Sequence, residues 1–424
     1  VFYSFQPAKV QKKTHLCKKK YIFLTFNFLV IPLTFASLFF FYYLCTQIHH
    51  FMAKRVLIGM SGGIDSSVAA ILLQEQGYEV IGATFRTFDP PTPVQSNTNT
   101  KSCCSEDSIT EAQRMASILG IEHHILDFRA TFRQHVINNF INEYACGRTP
   151  NPCVMCNSHI KWGKLMEAAD QLGCDFIATG HYAQIIEHRG HTYLKQAADT
   201  HKDQTYFLWM LTEENLRRTL FPLGGLTKQQ VRQIALEHGF EQLSKKAESQ
   251  EICFVPNDDY RTFLAAQGVV VAPGDYIDHL GNVLGTHQGF CNYTIGQRKG
   301  LGIALGAPKF VTKIDATTNR VTLGDREDLL TSQATIAHVR LRDIDWLNES
   351  PTLQARIRYK SPAVPCQIVI NSQPSYTSSA GDRSSKCEIT SIHFSNPVWG
   401  VTPGQSLVLY KDGLVVGGGI ITNP

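Results

Sequence analysis

The sequence predicts an α/β fold in which a doubly wound parallel sheet precedes a small central domain and a C-terminal β-barrel. First, residues 56–181 alternate short apolar runs with helical segments that end at glycine, as in parallel sheets covered by helices. Second, this alternation fades beyond about residue 257, where Gly-rich turns separate short β-branched runs typical of a barrel. Third, with 43% hydrophobic residues the chain can bury a substantial core. We expect domains at 52–256, 257–328 and 329–424.

The first 51 residues differ from the rest in composition. They contain six lysines and no acidic residue, and residues 21–45 form a nearly unbroken apolar run that is long enough to span a bilayer. One interpretation is a membrane anchor. The other, which we favour, is a start-site over-extension, because Met52 directly precedes the first predicted strand.

The favoured interpretation makes a prediction about residues 1–51. A chain that begins at Met52 should be fully active and cytoplasmic, whereas an anchored protein would resist alkaline extraction from membranes. Without residues 1–51 the formal net charge falls from +4 to −2. Binding to a nucleic acid would therefore depend on a local basic patch.

The elements of the first half follow from periodicity and glycine stops. Strands are predicted near 56–60, 79–85, 122–128 and 175–179. Helices are predicted at 66–76, 106–119, 130–145 and 162–172, the first, second and fourth ended by Gly77, Gly120 and Gly173. Ligands of such sheets bind at the carboxyl ends of the strands.

Fewer elements are predicted in the second half. A hairpin is expected at 184–197, turning at Arg189-Gly190. Thr227-Lys-Gln-Gln230 is a capping box that opens a helix to His238. A short helix is expected at 258–267, and the polar, Ser-rich 371–386 segment indicates a long hairpin loop.

The most informative segment is Ser61-Gly62-Gly63-Ile64-Asp65-Ser66, between the first strand and the first helix. Two adjacent glycines let the backbone turn sharply and approach a ligand closely. The N–H groups of the turn and of the helix start then form an anion cradle. No Gly-Lys-Ser/Thr follows, so the loop is not a kinase-type P-loop. It resembles the pyrophosphate-binding loop of ATP pyrophosphatases, enzymes that cut ATP between its α and β phosphates.

Cysteines are the second chemical signal. Ten lie beyond residue 52 at irregular spacings, which favours a reducing compartment with a few chemical thiols over a disulfide scaffold. Cys153 and Cys156 lie in the segment 148–157, whose prolines and asparagines predict an exposed loop. Cys253 lies in a second polar segment, and thiols in such settings can be reactive. Seven cysteines are expected to be small buried hydrophobes: Cys103, Cys104, Cys146, Cys174, Cys291, Cys366 and Cys387.

Eight motifs occur in a fixed order over about 52–424. They are SGGIDSS, GRTPNPCVMCN, ATGHYA, KDQTYFL, FPLGGLTKQQVR, ESQEICF, TIGQRKGLGI and TPGQ. Together they closely resemble the bacterial tRNA-specific 2-thiouridylases (MnmA/TrmU family), which are PP-loop ATP pyrophosphatases. The resemblance implies an enzyme whose partner is tRNA and which places sulfur on C2 of the wobble uridine. ATP would activate the C2 oxygen as an adenylate, and a cysteine persulfide, supplied by a cysteine desulfurase or a relay protein, would displace AMP.

The resemblance also implies roles by motif position. Cys156 matches the catalytic nucleophile, Cys253 matches the persulfide-carrying cysteine, and Asp65 would help to place Mg²⁺. The residues expected to hold ATP are Gly59, Met60, Ser61, Gly62, Gly63, Ile64, Asp65, Ser66, Phe85 and Gly180. The residues expected to contact tRNA are Asn151, Pro152, Cys153, His181, Lys202, Asp203, Gln204, Arg358, Tyr359 and Gln405, the first three at the target base.

One departure leaves the sulfur chemistry open. Cys153 stands where some relatives have Asp, so Cys153, Cys156 and Cys253 could supply three thiolates to an iron–sulfur cluster or zinc instead of forming a disulfide. Two alternative functions are another ATP pyrophosphatase, such as an amide-forming synthetase or a different tRNA thiolase, and a non-catalytic, membrane-tethered RNA-binding module. The paired cysteines and C-terminal motifs count against the synthetases, and the intact glycine loop together with both cysteines counts against the RNA-binding module.

Overall fold

The computed structural model describes residues 53–89, 106–244, 252–349, 353–370, 375–376 and 385–423. The N-terminal extension lies outside these residues, as do Cys103, Cys104, the side chain of Cys387 and most of the predicted loop at 371–386. Among the described helices, none has both the length and the apolar character needed to cross a membrane.

A five-stranded parallel sheet forms the centre of the N-terminal part. The strands of this part are β1 (Arg55–Gly59), β2 (Glu79–Arg86), β3 (Glu122–Asp127), β4 (Phe176–Ala178), β5 (Gln184–His188), β6 (His191–Lys195) and β7 (Thr219–Leu220). The sheet has the order β3-β2-β1-β4-β7, and each pairing in it is parallel. Val56 and Ile58 face one hydrophobic cluster and Leu57 faces another. Burial of both faces confirms the predicted doubly wound sheet.

The helices that cover this sheet agree with most of the predicted ones. They are α1 (Ile64–Glu75), α2 (Glu106–Leu119), α3 (Arg129–Phe132), α4 (Asn138–Ala145), α5 (Pro152–Cys156), α6 (Leu165–Gln171), α7 (Glu213–Arg217), α8 (Lys228–Glu237) and α9 (Glu241–Ser244). Short π-helical segments, Arg133–Ile137 and Asn157–Lys164, join α3 to α4 and α5 to α6. The predicted capping box of α8 is confirmed, because Thr227 and Gln230 exchange side chain–backbone hydrogen bonds.

The segment around Cys153 differs from its prediction as an exposed loop. Helix α5 begins inside it, with Asn151 as the N-cap and Pro152 in the first turn. The Asn151 side chain accepts a hydrogen bond from the backbone N–H of Val154 at 3.4 Å. Proline fits there because the first helical N–H needs no partner within the helix. Residues that sequence reasoning reads as loop formers thus act as a helix start.

The second half contains the predicted central domain and barrel. Its elements are α10 (Tyr260–Ala266), β8 (Gly274–Ile277), β9 (Val283–His287), β10 (Phe310–Asp315), β11 (Arg320–Gly324), β12 (Leu330–Leu341), α11 (Ile344–Asn348), β13 (Leu353–Arg356), β14 (Val364–Ile370), β15 (Ser375–Tyr376), β16 (Ser385–Trp399), β17 (Ser406–Lys411) and β18 (Leu414–Asn423). The central sheet has the order β10-β11-β8-β9. The barrel runs β12-β16-β14-β13-β17-β18 and closes where β18 pairs with β12.

The predicted hairpin β5–β6 turns at Arg189 and Gly190, both of which have positive φ. It does not join the parallel sheet. Instead, Lys195 of β6 pairs with Leu414 of β18, and Tyr193 is fully buried in the barrel core. This hairpin therefore attaches the barrel to the N-terminal part, an arrangement that the sequence did not predict.

Candidate active site

The glycine loop lies where the strand order of the parallel sheet reverses. Strand β1 has β2 on one side and β4 on the other, so the loops that follow β1 and β4 leave the sheet at the same edge. Such a reversal point opens a crevice at the carboxyl ends of the strands. The loop 60–63 and the start of α1 line this edge.

The two loop glycines have different roles. Gly62 has a φ of +66°, and a Cβ there would lie 2.6 Å from the carbonyl oxygen of Ser108. Gly63 has a φ of −100°, which any residue adopts, and its added Cβ would meet only the Ser61 hydroxyl at 3.4 Å. Gly62 is therefore required by the fold, whereas Gly63 keeps space open over the start of α1.

The other residues predicted to hold ATP lie against this loop. A Cβ at Gly180 would be 2.8 Å from the backbone nitrogen of Ser66, and a Cβ at Gly59 would be 3.2 Å from the ring of Phe85. The backbone N–H of Met60 donates to the carbonyl of Ala83 at 2.7 Å. Both glycines permit close backbone approach. The structure thus gathers the predicted set at one edge, and binding of ATP by it stays a prediction.

Sequence reasoning missed Lys228, although it lies in this site. Its ammonium group is 2.7 and 2.8 Å from the two carboxylate oxygens of Asp65, and the hydroxyl of Tyr182 donates to the same carboxylate at 2.7 Å. Lys228 is only 8% exposed. A signal was present: a lysine in the first turn of a helix is unfavourable for the helix dipole unless an acidic group compensates it.

This ion pair changes the expected effect of Asp65→Ala. The variant should lose activity, as the anion cradle predicts, and also about 1–3 kcal/mol of unfolding free energy, because it leaves the Lys228 ammonium buried without its carboxylate. This loss is smaller than that for a fully buried ion pair, because the Asp65 side chain is 33% exposed and solvent screens its charge. Urea denaturation checks it. The matched control is Asp325→Ala, which breaks the exposed pair with Lys309 and should cost less than about 1 kcal/mol. Equal losses for both variants would contradict the assignment.

Two of the three cysteines of interest, Cys156 and Cys253, lie beside an aromatic cluster. Cys153 is exposed and Cys156 partly buried, one helical turn apart on α5. Cys156 and Cys253 both pack against the cluster that contains Phe132, Phe140 and Phe254. The fold thus brings two segments, about a hundred residues apart in sequence, to one surface.

The predicted three-thiolate site is not assembled in this conformation. In the described part of the chain, no three His, Cys, Asp or Glu side chains are grouped so that they could hold a metal ion. Cys153, Cys156 and Cys253 are all described residues. These three cysteines, as placed, therefore do not fit an iron–sulfur cluster or zinc.

Four of the seven cysteines predicted to be buried can be checked. Cys174, Cys291 and Cys366 are buried, and burial raises the pKa of the Cys366 thiol to about 12. The prediction is wrong for Cys146, which is exposed. It follows the last residue of α4, where the chain turns at Gly147 with a φ of +72°. A helix end of this kind faces solvent.

Two residues expected at the tRNA face point into the protein. Asp203 is 2% exposed, and its carboxylate accepts hydrogen bonds from the Thr205 hydroxyl and from the backbone N–H of Ala197. The neighbouring Gln204 accepts from the backbone N–H of Tyr182 at 2.9 Å. Lys202 is half-buried. These contacts join the segment 202–204 to the segments that follow β4 and β6, and the role of these residues toward tRNA stays a prediction.

His181 is also buried. Its Nδ1 lies 2.7 Å from the Thr179 hydroxyl, and its Nε2 lies 3.4 Å from the Lys161 ammonium. Burial, followed by the charge of Lys161, holds the pKa of His181 well below its usual value. The imidazole is therefore neutral at physiological pH.

A neutral buried imidazole makes stability depend on pH. In the unfolded chain His181 regains a pKa of about 6.5. Its contribution is therefore fully present above that pH and is lost as the pH falls toward the folded pKa, at about 1.4 kcal/mol per pH unit. Urea denaturation between about pH 6.5 and 5 measures this dependence. As the pH falls, the free energy of unfolding should decrease less steeply for His181→Gln than for the parent protein. The exposed His201→Gln control should keep the parent slope, and an unchanged slope for His181→Gln would contradict this account.

The three barrel residues predicted to contact tRNA make internal contacts. Arg358 donates to the carbonyls of Ile295 and Gly400, at 3.2 and 2.6 Å. The ring of Tyr359 lies 4.4 Å from that of Phe207. Gln405 donates to backbone carbonyls ahead of α5. Each residue thus joins the barrel to another part of the chain, and contact with tRNA stays a prediction.

Comparison with known proteins covers most of the chain. Residues 54–257 match the family model of the tRNA methyl transferase HUP domain, residues 261–325 that of the tRNA methyl transferase PRC-barrel domain, and residues 336–421 that of the aminomethyltransferase beta-barrel domain. The tRNA-specific 2-thiouridylase MnmA of Desulfitobacterium hafniense is 43% identical over 378 residues, covering 87% of this chain and 98% of the relative. The enzyme of the same name from Halothermothrix orenii is 46% identical over 370 residues, with 87% and 98% coverage.

A solved structure of a 4-thiouridine synthetase–RNA complex with bound ATP is 18% identical to this chain. It covers 50% of each chain with a TM-score of 0.33. A likeness this remote supports no conclusion about the present site.

Proposed function

This chain belongs to the tRNA-specific 2-thiouridylase family, and we propose that it transfers sulfur to C2 of the wobble uridine of tRNA at the expense of ATP. Family membership rests on identities of 43–46% across nearly the whole length of the relatives. Two of the matching domain models are named for methyl transfer. A phosphate loop beside paired cysteines fits activation and sulfur transfer instead.

One observation carries the proposal. The side chain of Phe85 lies between the edge of the sheet that holds the glycine loop and the aromatic cluster beside the cysteines. Phe85 lies against Gly59 at the end of β1, and it also packs on the cluster that Cys156 and Cys253 contact. A uridine activated at the sheet edge would therefore be near the thiols. Activation and sulfur transfer on one base require this proximity.

The nucleotide half of the reaction uses the glycine loop. The backbone N–H groups at the start of α1 and the Lys228 ammonium offer positive charge to the phosphates of ATP. The uridine C2 oxygen attacks the α-phosphorus, the bond to the bridging oxygen breaks, and pyrophosphate leaves. The N3 proton of the base is released in this step and is taken up again from solvent when C2=S forms. The Asp65 carboxylate, a hard oxygen ligand, suits Mg²⁺ bound mainly by phosphates. Mg²⁺ held by this carboxylate would supply positive charge that neutralises the phosphates.

The sulfur half uses two thiols. The terminal sulfur of a persulfide on Cys253 attacks C2, and AMP leaves with the former carbonyl oxygen. The Cys156 thiolate then attacks the inner sulfur of Cys253, which breaks the S–S bond and leaves the terminal sulfur on the base as C2=S. A Cys156–Cys253 disulfide results, and an external thiol reductant must reopen it. The target base must leave the anticodon stack to be reached.

The residues around the thiols would hold the target base. Asn151, Pro152 and Cys153 form the start of α5, three to five residues before Cys156 on the same helix. A cysteine desulfurase or a relay protein would supply the persulfide, and reducing conditions place the reaction in the cytoplasm. The sulfur donor and this compartment are parts of the proposal.

The test is an in vitro reaction with unmodified tRNA transcript, ATP and a persulfide donor. We expect pyrophosphate release that depends on tRNA, and mass spectrometry of nucleosides should show one oxygen of the wobble uridine replaced by sulfur. Pyrophosphate release without tRNA, driven by an acid and ammonia, would favour an amide-forming synthetase. Sulfur at C4 would favour a different tRNA thiolase, and absence of both activities would favour a non-catalytic RNA-binding module.

A further inference from the structure

One turn of the barrel touches the chain directly ahead of the cysteine helix. We call Thr402-Pro403-Gly404-Gln405, between β16 and β17, the barrel turn, and residues 148–151, ahead of α5, the cysteine loop. The backbone N–H of Thr149 donates to the carbonyl of Pro403 at 2.9 Å. This is a main-chain contact between segments more than 250 residues apart in sequence.

Gln405 makes the second set of contacts. Its side-chain Nε2 donates to the carbonyls of Thr149 and Pro150, at 3.0 and 2.9 Å. A glutamine amide has two N–H donors. Both are therefore used within the protein, on two consecutive carbonyls of the cysteine loop.

Gly404 lets the two segments approach this closely. Its φ is +89°, and a Cβ there would lie 2.7 Å from the carbonyl oxygen and 2.9 Å from the nitrogen of Thr149. Only glycine satisfies both the backbone conformation and the space. The geometry of the contact thus depends on three consecutive residues of the TPGQ motif.

Each side of the contact is anchored to its own domain. The barrel turn is held by the backbone bonds of Gly404 and Gln405 to Ile421 in β18, both at 2.8 Å. The cysteine loop begins at Arg148, whose guanidinium pairs with Glu143 of α4 at 2.7 Å. It ends at Asn151, which caps α5. The barrel turn therefore holds the middle of a loop whose far end leads to Cys156.

We propose that the barrel turn is a positioning site for the cysteine helix. It determines where α5 starts, and through α5 it determines the placement of Cys153 and Cys156 at the uridine. Helix α5 has only five residues, begins with Pro152 and follows a loop that contains Pro150, so few bonds of its own stabilise that start. The catalytic use of these thiols rests on the proposed function, whereas the positioning itself does not.

The test is the reactivity of the thiols in the full-length protein without tRNA or ATP. Gln405→Glu has the same shape but no donors, and it turns a carboxylate toward two carbonyls. In this variant we expect iodoacetamide to alkylate the partly buried Cys156 about tenfold faster, which is the effect of losing about one hydrogen bond. We also expect faster hydrogen exchange of the backbone across 149–156. Gln405→Met and Gly404→Val should act in the same direction, and circular dichroism checks that each variant is folded.

The matched control is Gln354→Glu, an exposed glutamine on β13 of the same barrel, which should leave alkylation unchanged. Parent-like alkylation and exchange in folded Gln405→Glu and Gln405→Met would overturn the proposal. If these variants only weaken tRNA binding, Gln405 is a tRNA contact and not a positioning residue. In thiolation assays, positioning predicts a lower kcat with little change in the KM for tRNA. Because alkylation needs no substrate, failure of the proposed function would leave this result intact.

Discussion

Cys156→Ser and Cys253→Ser should each lower multiple-turnover thiolation of tRNA by at least about 10³-fold, while the first half-reaction persists. A serine hydroxyl cannot carry a persulfide and is a far weaker nucleophile than a thiolate at neutral pH. Activation of the uridine uses the glycine loop, so each variant should release one burst of pyrophosphate in the presence of tRNA. Quench-flow measurement of pyrophosphate, beside nucleoside mass spectrometry, separates the two steps.

Cys153→Ser is the matched control, because Cys153 lies one turn from Cys156 on the same helix but is exposed. In the two-thiol route Cys153 only contacts the target base, a contact that a serine of similar size can keep, so the variant should retain most activity. A complete loss in Cys153→Ser, together with iron and acid-labile sulfide in protein purified without oxygen, would contradict that route. A Cys156–Cys253 disulfide trapped after one turnover would support it.

Gly63→Val should abolish ATP-dependent pyrophosphate release in a protein that still folds. The backbone at Gly63 is extended, and an added Cβ meets only the Ser61 hydroxyl at 3.4 Å. Valine is therefore tolerated by the fold, but its methyl groups fill the space over the start of α1 that phosphates must enter. We expect loss of at least about 10²-fold in the rate, the scale of one lost charge-stabilising contact, and loss of ATP binding by calorimetry.

Valine substitutions at two other glycines are the controls, and they distinguish loss of ATP binding from loss of folding. Gly163→Val adds the same side chain within the helical segment after α5, where the nearest contact is 3.6 Å, and should keep pyrophosphate release. Gly62→Val forces a positive φ and a clash with Ser108, and should lower the melting temperature. Normal ATP binding by folded Gly63→Val would refute the assignment of the loop.

Local sequence determined the elements that depend on local physics. Apolar runs, glycine stops and the Thr227 capping box specify the strands and helices of the parallel sheet, since periodicity and capping act over a few residues. The glycine loop was recognisable because its chemistry lies within six consecutive residues. Prolines and asparagines misled the interpretation of 148–157, because the same residue types that form turns also start helices.

Tertiary structure alone decided which distant groups meet. The pairing of Lys228 with Asp65, the closure of the barrel by β12 and β18, and the hydrogen bonds of Gln405 to the cysteine loop each join residues more than seventy positions apart. Burial likewise set the neutral state of His181 and turned Asp203 inward. A local sequence pattern predicts the secondary structure of a segment, but it does not show which distant residues the segment contacts. Determining the partner of a charge or amide therefore requires the packed fold, in which desolvation makes an unpaired polar group costly.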